Sequence, residues 1–156
     1  MNIHDCKRCL LLLLILGLIN ISSATHAASN EIQWQNYEKG IATAKTEGKK
    51  IFLHFYTTWC GYCKSMDQKT FKDTSVVQYL NENFVPIKVD ADQQRELAIQ
   101  YRVSGLPSNW FLQTDGEKIA TRPGYISQEE MISFLQFIHT DSYKKMNLSE
   151  FLQTRK

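Results

Sequence analysis

Cys60 and Cys63 stand three apart in the stretch Thr57-Thr58-Trp59-Cys60-Gly61-Tyr62-Cys63-Lys64-Ser65. Such a pair serves one of three ends: thiol–disulfide exchange, a metal clip or a structural cross-link. A cross-link over two intervening residues closes a very small loop, so it removes little entropy from the unfolded chain. Zinc needs four ligands, and beyond residue 27 only His54 and His139 add to the two cysteines among thiol and imidazole groups. His139 lies far along the chain from the pair. Copper(I) accepts two soft thiolates, and Met66 follows Cys63 by about one helical turn, although a methionine there also reads as core packing. Exchange has the strongest physical case. A cysteine at a helix N-terminus meets unpaired backbone N–H groups and the positive end of the helix dipole, which favour the nucleophilic thiolate.

That placement follows from the elements around the pair. Ile51 to Thr57 (IFLHFYT) is short, aromatic-rich and apolar on both faces, as a strand buried between helix layers is. It leads directly to Cys60, where helix-compatible residues begin. Cys63, nearly one turn later, lies on the same side and within reach of a disulfide. Trp59 and Tyr62 add apolar area beside the sulfurs.

Elsewhere the pattern predicts a helix over 34–48 ending at Gly48, then, after the first strand, an interruption of the cysteine helix at 71–74. Thr74 is expected to cap a second stretch through Asn83, Phe84 to Val89 to form a strand, and Asp92 to open a helix through Tyr101. Asn109 to Gln113 and Glu117 to Thr121 read as a hairpin about Asp115-Gly116, and Ser127 with Glu130 as a capping box ahead of Met131 to Ile138. The alternation of elements points to a single α/β domain with a mixed sheet. Residues 141–156 are polar, a short helix or a frayed tail.

The N-terminal residues indicate a compartment. Lys7 and Arg8 precede an apolar run from Cys9 to Ile19, and Ser22 to Ala28 is rich in small residues, the order of a secretory signal peptide. The run is short for a membrane span, which takes about 20 apolar residues. Cleavage after Ala27 removes 27 of 156 residues and leaves 129, with Cys60 and Cys63 as the remaining cysteines. Loss of Asp5, Lys7 and Arg8 takes the formal charge from +2 to +1. A nearly neutral domain without a basic run is a poor nucleic-acid binder. Two cysteines do not make a disulfide scaffold.

The stretch WCGYCK after a buried strand, with Ser104-Gly105-Leu106-Pro107-Ser108 before a hairpin about forty residues later, resembles the thioredoxin family. The resemblance runs from about Ile32 to His139. Within the family, Trp59 to Lys64, Asp67, Thr70-Phe71 and the Gly-Leu-Pro loop look most like the C-terminal periplasmic domain of the bacterial transmembrane thiol:disulfide interchange reductase. It implies a thioredoxin fold over residues 28–140, a central mixed sheet flanked by helices, and a redox-active disulfide between Cys60 and Cys63. Pro107 would be the family's cis-proline, and Leu106 would lend its backbone to an extended substrate strand. Trp59, Gly61 and Tyr62 would join them in contacting substrate.

His54 departs from the family, where this strand position is commonly aspartate. It is either a core histidine satisfied by a backbone carbonyl or the acceptor of the Cys63 proton. Asp67, four residues after Cys63, is either a solvated charge or a carboxylate that raises the thiols' pKa. The expected function is an exported, periplasmic thiol–disulfide oxidoreductase that reduces protein disulfides. It would need no cofactor and no metal, and would be recharged by a membrane-bound or other thiol donor. The rivals are an oxidase or isomerase on the same fold, a copper(I) delivery protein, and a redox-idle binding module.

Overall fold

A computed structural model describes residues 29–155; the expected leader, residues 1–27, and with it Cys6 and Cys9, lies outside the described residues. Four strands, β1 (Lys50–Tyr56), β2 (Phe84–Asp90), β3 (Ser108–Leu112) and β4 (Lys118–Pro123), form one sheet in the order β2-β1-β3-β4. β1 runs parallel to β2 and antiparallel to β3, and β3 and β4 form the hairpin. The sheet is therefore mixed, and β1 sits inside it.

Among the described residues six α-helices accompany the sheet: α1 (Tyr37–Glu47), α2 (Gly61–Gln68), α3 (Thr74–Asn83), α4 (Arg95–Gln100), α5 (Gln128–His139) and α6 (Leu148–Gln153). Alternation along β1 splits the core. Ile51, Leu53 and Phe55 face a cluster with Ala44 of α1 and Ala98 of α4. Phe52 faces the other cluster, with Met66 of α2, Val77 and Leu80 of α3, and Met131 and Leu135 of α5. Strand side chains alternate between faces, so His54 shares the side of Phe52, beneath the helix that carries the cysteines.

Several boundaries differ from the sequence expectation, each for a local reason. α1 begins at Tyr37, capped by Asn36, rather than at Trp34. The preceding chain is extended because Gln35 bridges to β2, donating to Pro86 O and accepting from Lys88 N. Trp34 is thereby freed to pack edge-on against Phe71 at 5.1 Å. Asp73, not Thr74, caps α3, accepting from the Ser75 and Val76 amides. α4 starts at Arg95 rather than near Asp92, whose amide closes a turn onto the Asp90 carboxylate. The hairpin turn and the Ser127–Glu130 capping box form as expected. After α5 the chain makes a 3-10 turn over Ser142–Lys144 and then α6, opened by an Asn147–Glu150 capping box, and Phe151 packs 5.4 Å from Phe137.

Gly40 of α1 packs tightly against Ile87 of β2. A Cβ there would collide with Cγ1 and Cδ1 of Ile87, which is fully buried. Gly40→Ala should therefore destabilise the protein by about 1–3 kcal/mol, the usual range for overpacking, despite alanine's better helix propensity. Urea denaturation measures it, and an unchanged midpoint would show that Ile87 moves aside at no cost.

Candidate active site

β1 ends at Tyr56, the chain turns through Thr57 to Trp59, and Cys60 becomes the N-cap of α2. Its amide donates to Thr57 O at 3.3 Å, and its backbone is extended (φ −72°, ψ 109°), the usual N-cap conformation. The Sγ of Cys60 accepts from the Cys63 amide at 3.1 Å, the place a serine or aspartate oxygen takes in ordinary caps. Cys60 and Cys63 are joined as a disulfide, with Cα atoms 5.3 Å apart. The first turn of α2 holds no acidic residue. An N–H donor and the positive end of a helix favour a thiolate, and of the two sulfurs it is Cys60 Sγ that occupies this capping position. Both residues are buried, Cys60 at 5% exposure and Cys63 at 1%.

Around the disulfide the surface is apolar and open. Trp59 and Tyr62 are 68% and 69% exposed, so most of their area faces solvent. The Trp59 indole donates to Asp92 Oδ2 at 2.8 Å. Gly61 opens the helix, and a Cβ there would meet nothing within 4 Å. A shallow groove of about 390 Å³ runs beside Trp59, bordered by Asp92, Arg95, Ile99, Val103 and Leu106. The Leu106–Pro107 peptide bond is cis, and Pro107 O accepts from the Gly124 amide at 2.7 Å. Among the described residues no hydrogen bond engages the Leu106 amide or carbonyl.

On the face of the sheet that α2 covers lies a polar group in an aromatic cage. His54 is fully buried, and its ring is surrounded by those of Trp34, Phe52, Tyr56 and Phe71 at 5.0–6.4 Å. Its Nδ1 bonds to Asn109 Oδ1 at 2.7 Å, a side-chain partner rather than a backbone carbonyl. Nε2 has no partner. Burial pushes the His54 pKa down to about 4; the Asn109 bond and the more distant Asp67 carboxylate oppose that, and the Lys88 ammonium adds to it. Asp67 does not face the thiols as an unopposed charge. It pairs with Lys88 at 2.5 Å, and Lys88 also lies over the Tyr56 ring at 4.6 Å. Met66 is fully buried in the core with Phe52 and Phe71.

Asn109 escaped sequence reasoning. Its signal was present: an amide in the apolar run Ser108-Asn109-Trp110-Phe111-Leu112 of a buried strand. Its partner is 55 positions away, and only the β1–β3 register sets Asn109 opposite His54.

The profile described as a thioredoxin-like domain matches residues 37–139. The chain belongs to the thioredoxin-like family. It is 30% identical over 125 residues to the thiol:disulfide interchange protein DsbD of Campylobacter jejuni, covering 78% of this chain and 22% of that protein. It is 33% identical over 93 residues to protein disulfide isomerase-like 2-2 of rice (Oryza sativa), covering 60% of this chain and 24% of that one. The chain thus spans under a quarter of the length of these relatives. Among solved structures, a thioredoxin from Thermus thermophilus superposes with a TM-score of 0.62 at 28% identity, covering 68% of this chain and 85% of that one. A DsbH oxidoreductase superposes at 0.60 with 20% identity, which speaks to the fold.

This thioredoxin-like protein therefore joins a disulfide oxidoreductase-type fold to a Cys-x-x-Cys pair at bonding distance. Its rim makes a prediction of its own. The Trp59–Asp92 bond joins two exposed side chains, so Asp92→Ala should cost under about 1 kcal/mol of stability while freeing the indole. Trp59 fluorescence should show a lower steady-state anisotropy in the variant, and an unchanged value would mean that Asp92 does not hold the ring.

Proposed function

We propose that this protein is an exported thiol–disulfide oxidoreductase that reduces disulfides in proteins. The observation that carries the reading is the helix-capping Cys60, whose sulfur accepts the Cys63 amide hydrogen. In the reduced protein the Cys60 thiolate attacks one sulfur of a substrate disulfide, forming a mixed disulfide and expelling the other substrate sulfur as a thiolate. Cys63 then loses its proton and attacks Cys60 Sγ. The internal disulfide forms and the second substrate sulfur leaves, so two electrons pass from the dithiol to the substrate. A separate thiol donor restores the dithiol.

His54 acts as acceptor for the Cys63 proton, since its buried Nε2 has no other partner among the described residues and the ring lies on the same side of the sheet as α2. Trp59, Tyr62 and the groove toward Ile99 receive apolar side chains of the substrate. The free amide and carbonyl of Leu106, beside Pro107, pair with its extended backbone. Asp67 and Lys88 set the local field beside His54. Export is supported by the leader-like residues 1–27, and the reducing direction by the similarity to DsbD.

The dithiol potential, measured in a glutathione series, tests the direction. It should fall nearer the thioredoxin value of about −270 mV than the about −120 mV of strong oxidants. Insulin precipitation with a chemical thiol donor should accelerate when the protein is added. A potential at the oxidising end, with no acceleration, would turn the reading to the oxidase alternative.

A further inference from the structure

The hydrogen-bond chain behind the disulfide has a direction, and Asn109 sets it. Both N–H groups of its amide are committed to carbonyls, Arg122 O at 2.9 Å and Gly124 O at 3.1 Å. Carbonyl oxygens only accept, so turning the amide over would bring oxygen against oxygen. Oδ1 is thereby fixed on the His54 side, 2.7 Å from Nδ1. Because Oδ1 cannot donate, the hydrogen in that bond belongs to Nδ1. The lone pair then belongs to Nε2, which is buried and, among the described residues, unpartnered.

We propose that Asn109 is a positioning residue, which holds His54 as its Nδ1–H tautomer and so keeps Nε2 as a bare acceptor for the Cys63 proton. This rests on the exchange reading above and adds to it the residue that orients the acceptor. A free core histidine would exchange between two tautomers, and in the wrong one Nε2 would present a hydrogen where an acceptor is needed. Asn109 removes that choice. During resolution the proton moves from Cys63 Sγ to Nε2, and the sulfur's electron pair forms the bond to Cys60 Sγ. The substrate sulfur leaves with the pair of the broken bond. The departing thiolate takes the proton back as the imidazolium reverts to its neutral form.

The surroundings favour that return. Lys88 is the cation whose field reaches the ring, Asp67 offsets it in part, and the faces of the cage are otherwise aromatic, including the un-ionised phenol of Tyr56. Asn109 also ties the acceptor to the substrate loop, because the Gly124 whose carbonyl it holds donates its own amide to Pro107 O.

Nitrogen NMR of the 15N-histidine-labelled oxidised protein reads the tautomer without any substrate. His54 should show a protonated Nδ1 and an unprotonated Nε2; the reverse pattern overturns the proposal whatever the activity. Stopped-flow with a fluorescent disulfide then follows attack and resolution separately. Asn109→Leu should leave attack by Cys60 within about twofold and slow resolution at least roughly tenfold, part of the roughly 10²–10⁴ that positioned proton transfer contributes. In a His54→Leu background the same substitution should add nothing, since a residue acting through another is not additive with it. Additive losses, or a normal resolution rate in Asn109→Leu, would overturn the positioning role. If Asn109→Leu does not fold, Asn109→Ser carries the same comparison with a smaller change. Failure of the exchange reading looks different: the tautomer is found as stated, but no mixed disulfide accumulates in Cys63→Ser.

Discussion

Cys60→Ser should abolish disulfide reduction, leaving only the background rate of the thiol donor, whereas Cys63→Ser should still attack once and then stop as a mixed disulfide. The asymmetry comes from the two sulfurs' positions on α2. Cys60 is the N-cap and accepts the Cys63 amide hydrogen at 3.1 Å, while Cys63 lies inside the first turn. Exposure contributes little to the distinction, because the residues are 5% and 1% exposed. Selective reactivity must therefore arise from thiolate fraction, which the helix N-terminus raises at Cys60. Brief treatment of the reduced protein with iodoacetamide at neutral pH, followed by peptide mapping, should label Cys60 ahead of Cys63. Raising the pH should narrow the preference as Cys63 ionises. Equal labelling at neutral pH, or turnover surviving in Cys60→Ser, would reverse the assignment.

How much of this was legible in the sequence depends on the range of the interaction concerned. β1 was legible because IFLHFYT is apolar on both faces, and the cysteines were legible because they follow it directly. The thioredoxin-like fold followed from that unit and the Leu106-Pro107 loop, and the domain match at residues 37–139 agrees with it. Local competition between caps hid one boundary, and contacts distant in sequence hid the others. Asp73 and Thr74 are both good caps, and Asp73 takes the α3 amides. Asp92 resembles a helix opener, but its carboxylate is spent on the Trp59 indole. Gln35 leaves the first helix to pair with β2, a contact set by a strand some fifty positions later. The fate of the polar C-terminal stretch turned on Phe151 meeting Phe137. At the site itself, residue types were readable but partners were not. Asp67 read either as a solvated charge or as a carboxylate acting on the thiols, and neither reading included its ion pair with Lys88; nor could the bond between His54 and Asn109 be read before the strands were in register.

Burial of His54, the proposed proton acceptor, should make the protein acid-sensitive well above the carboxylate range. In the unfolded chain His54 titrates near its ordinary value of 6.5, and in the fold near about 4. Between those values the unfolded state binds a proton that the native state refuses, so unfolding becomes easier as pH falls from about 6.5 toward 4. A shift of this size is worth about 3 kcal/mol in total, with about 2–3 kcal/mol already lost at pH 4.5. The carboxylates act lower. Asp73, Glu130 and Asp141 are held below their usual range, chiefly by the Ser75 hydroxyl, the Ser127 amide and the Lys144 ammonium respectively, so the stability they contribute is present at pH 5 and disappears only as pH falls below about 4. Urea denaturation of the oxidised protein at pH 7, 5.5 and 4.5 separates the two windows. The wild type should lose stability steadily across that series. His54→Leu should start lower at pH 7, because Asn109 Oδ1 is left buried without its donor, at a cost of about 1–3 kcal/mol. Its stability should then stay nearly level down to pH 4.5. Parallel curves for the two proteins would mean that His54 titrates alike in both states, and the aromatic cage would lose its role in keeping the ring neutral. A flat variant curve would tie the neutrality of the acceptor at working pH to the cage of Trp34, Phe52, Tyr56 and Phe71, which withholds the solvent an imidazolium needs.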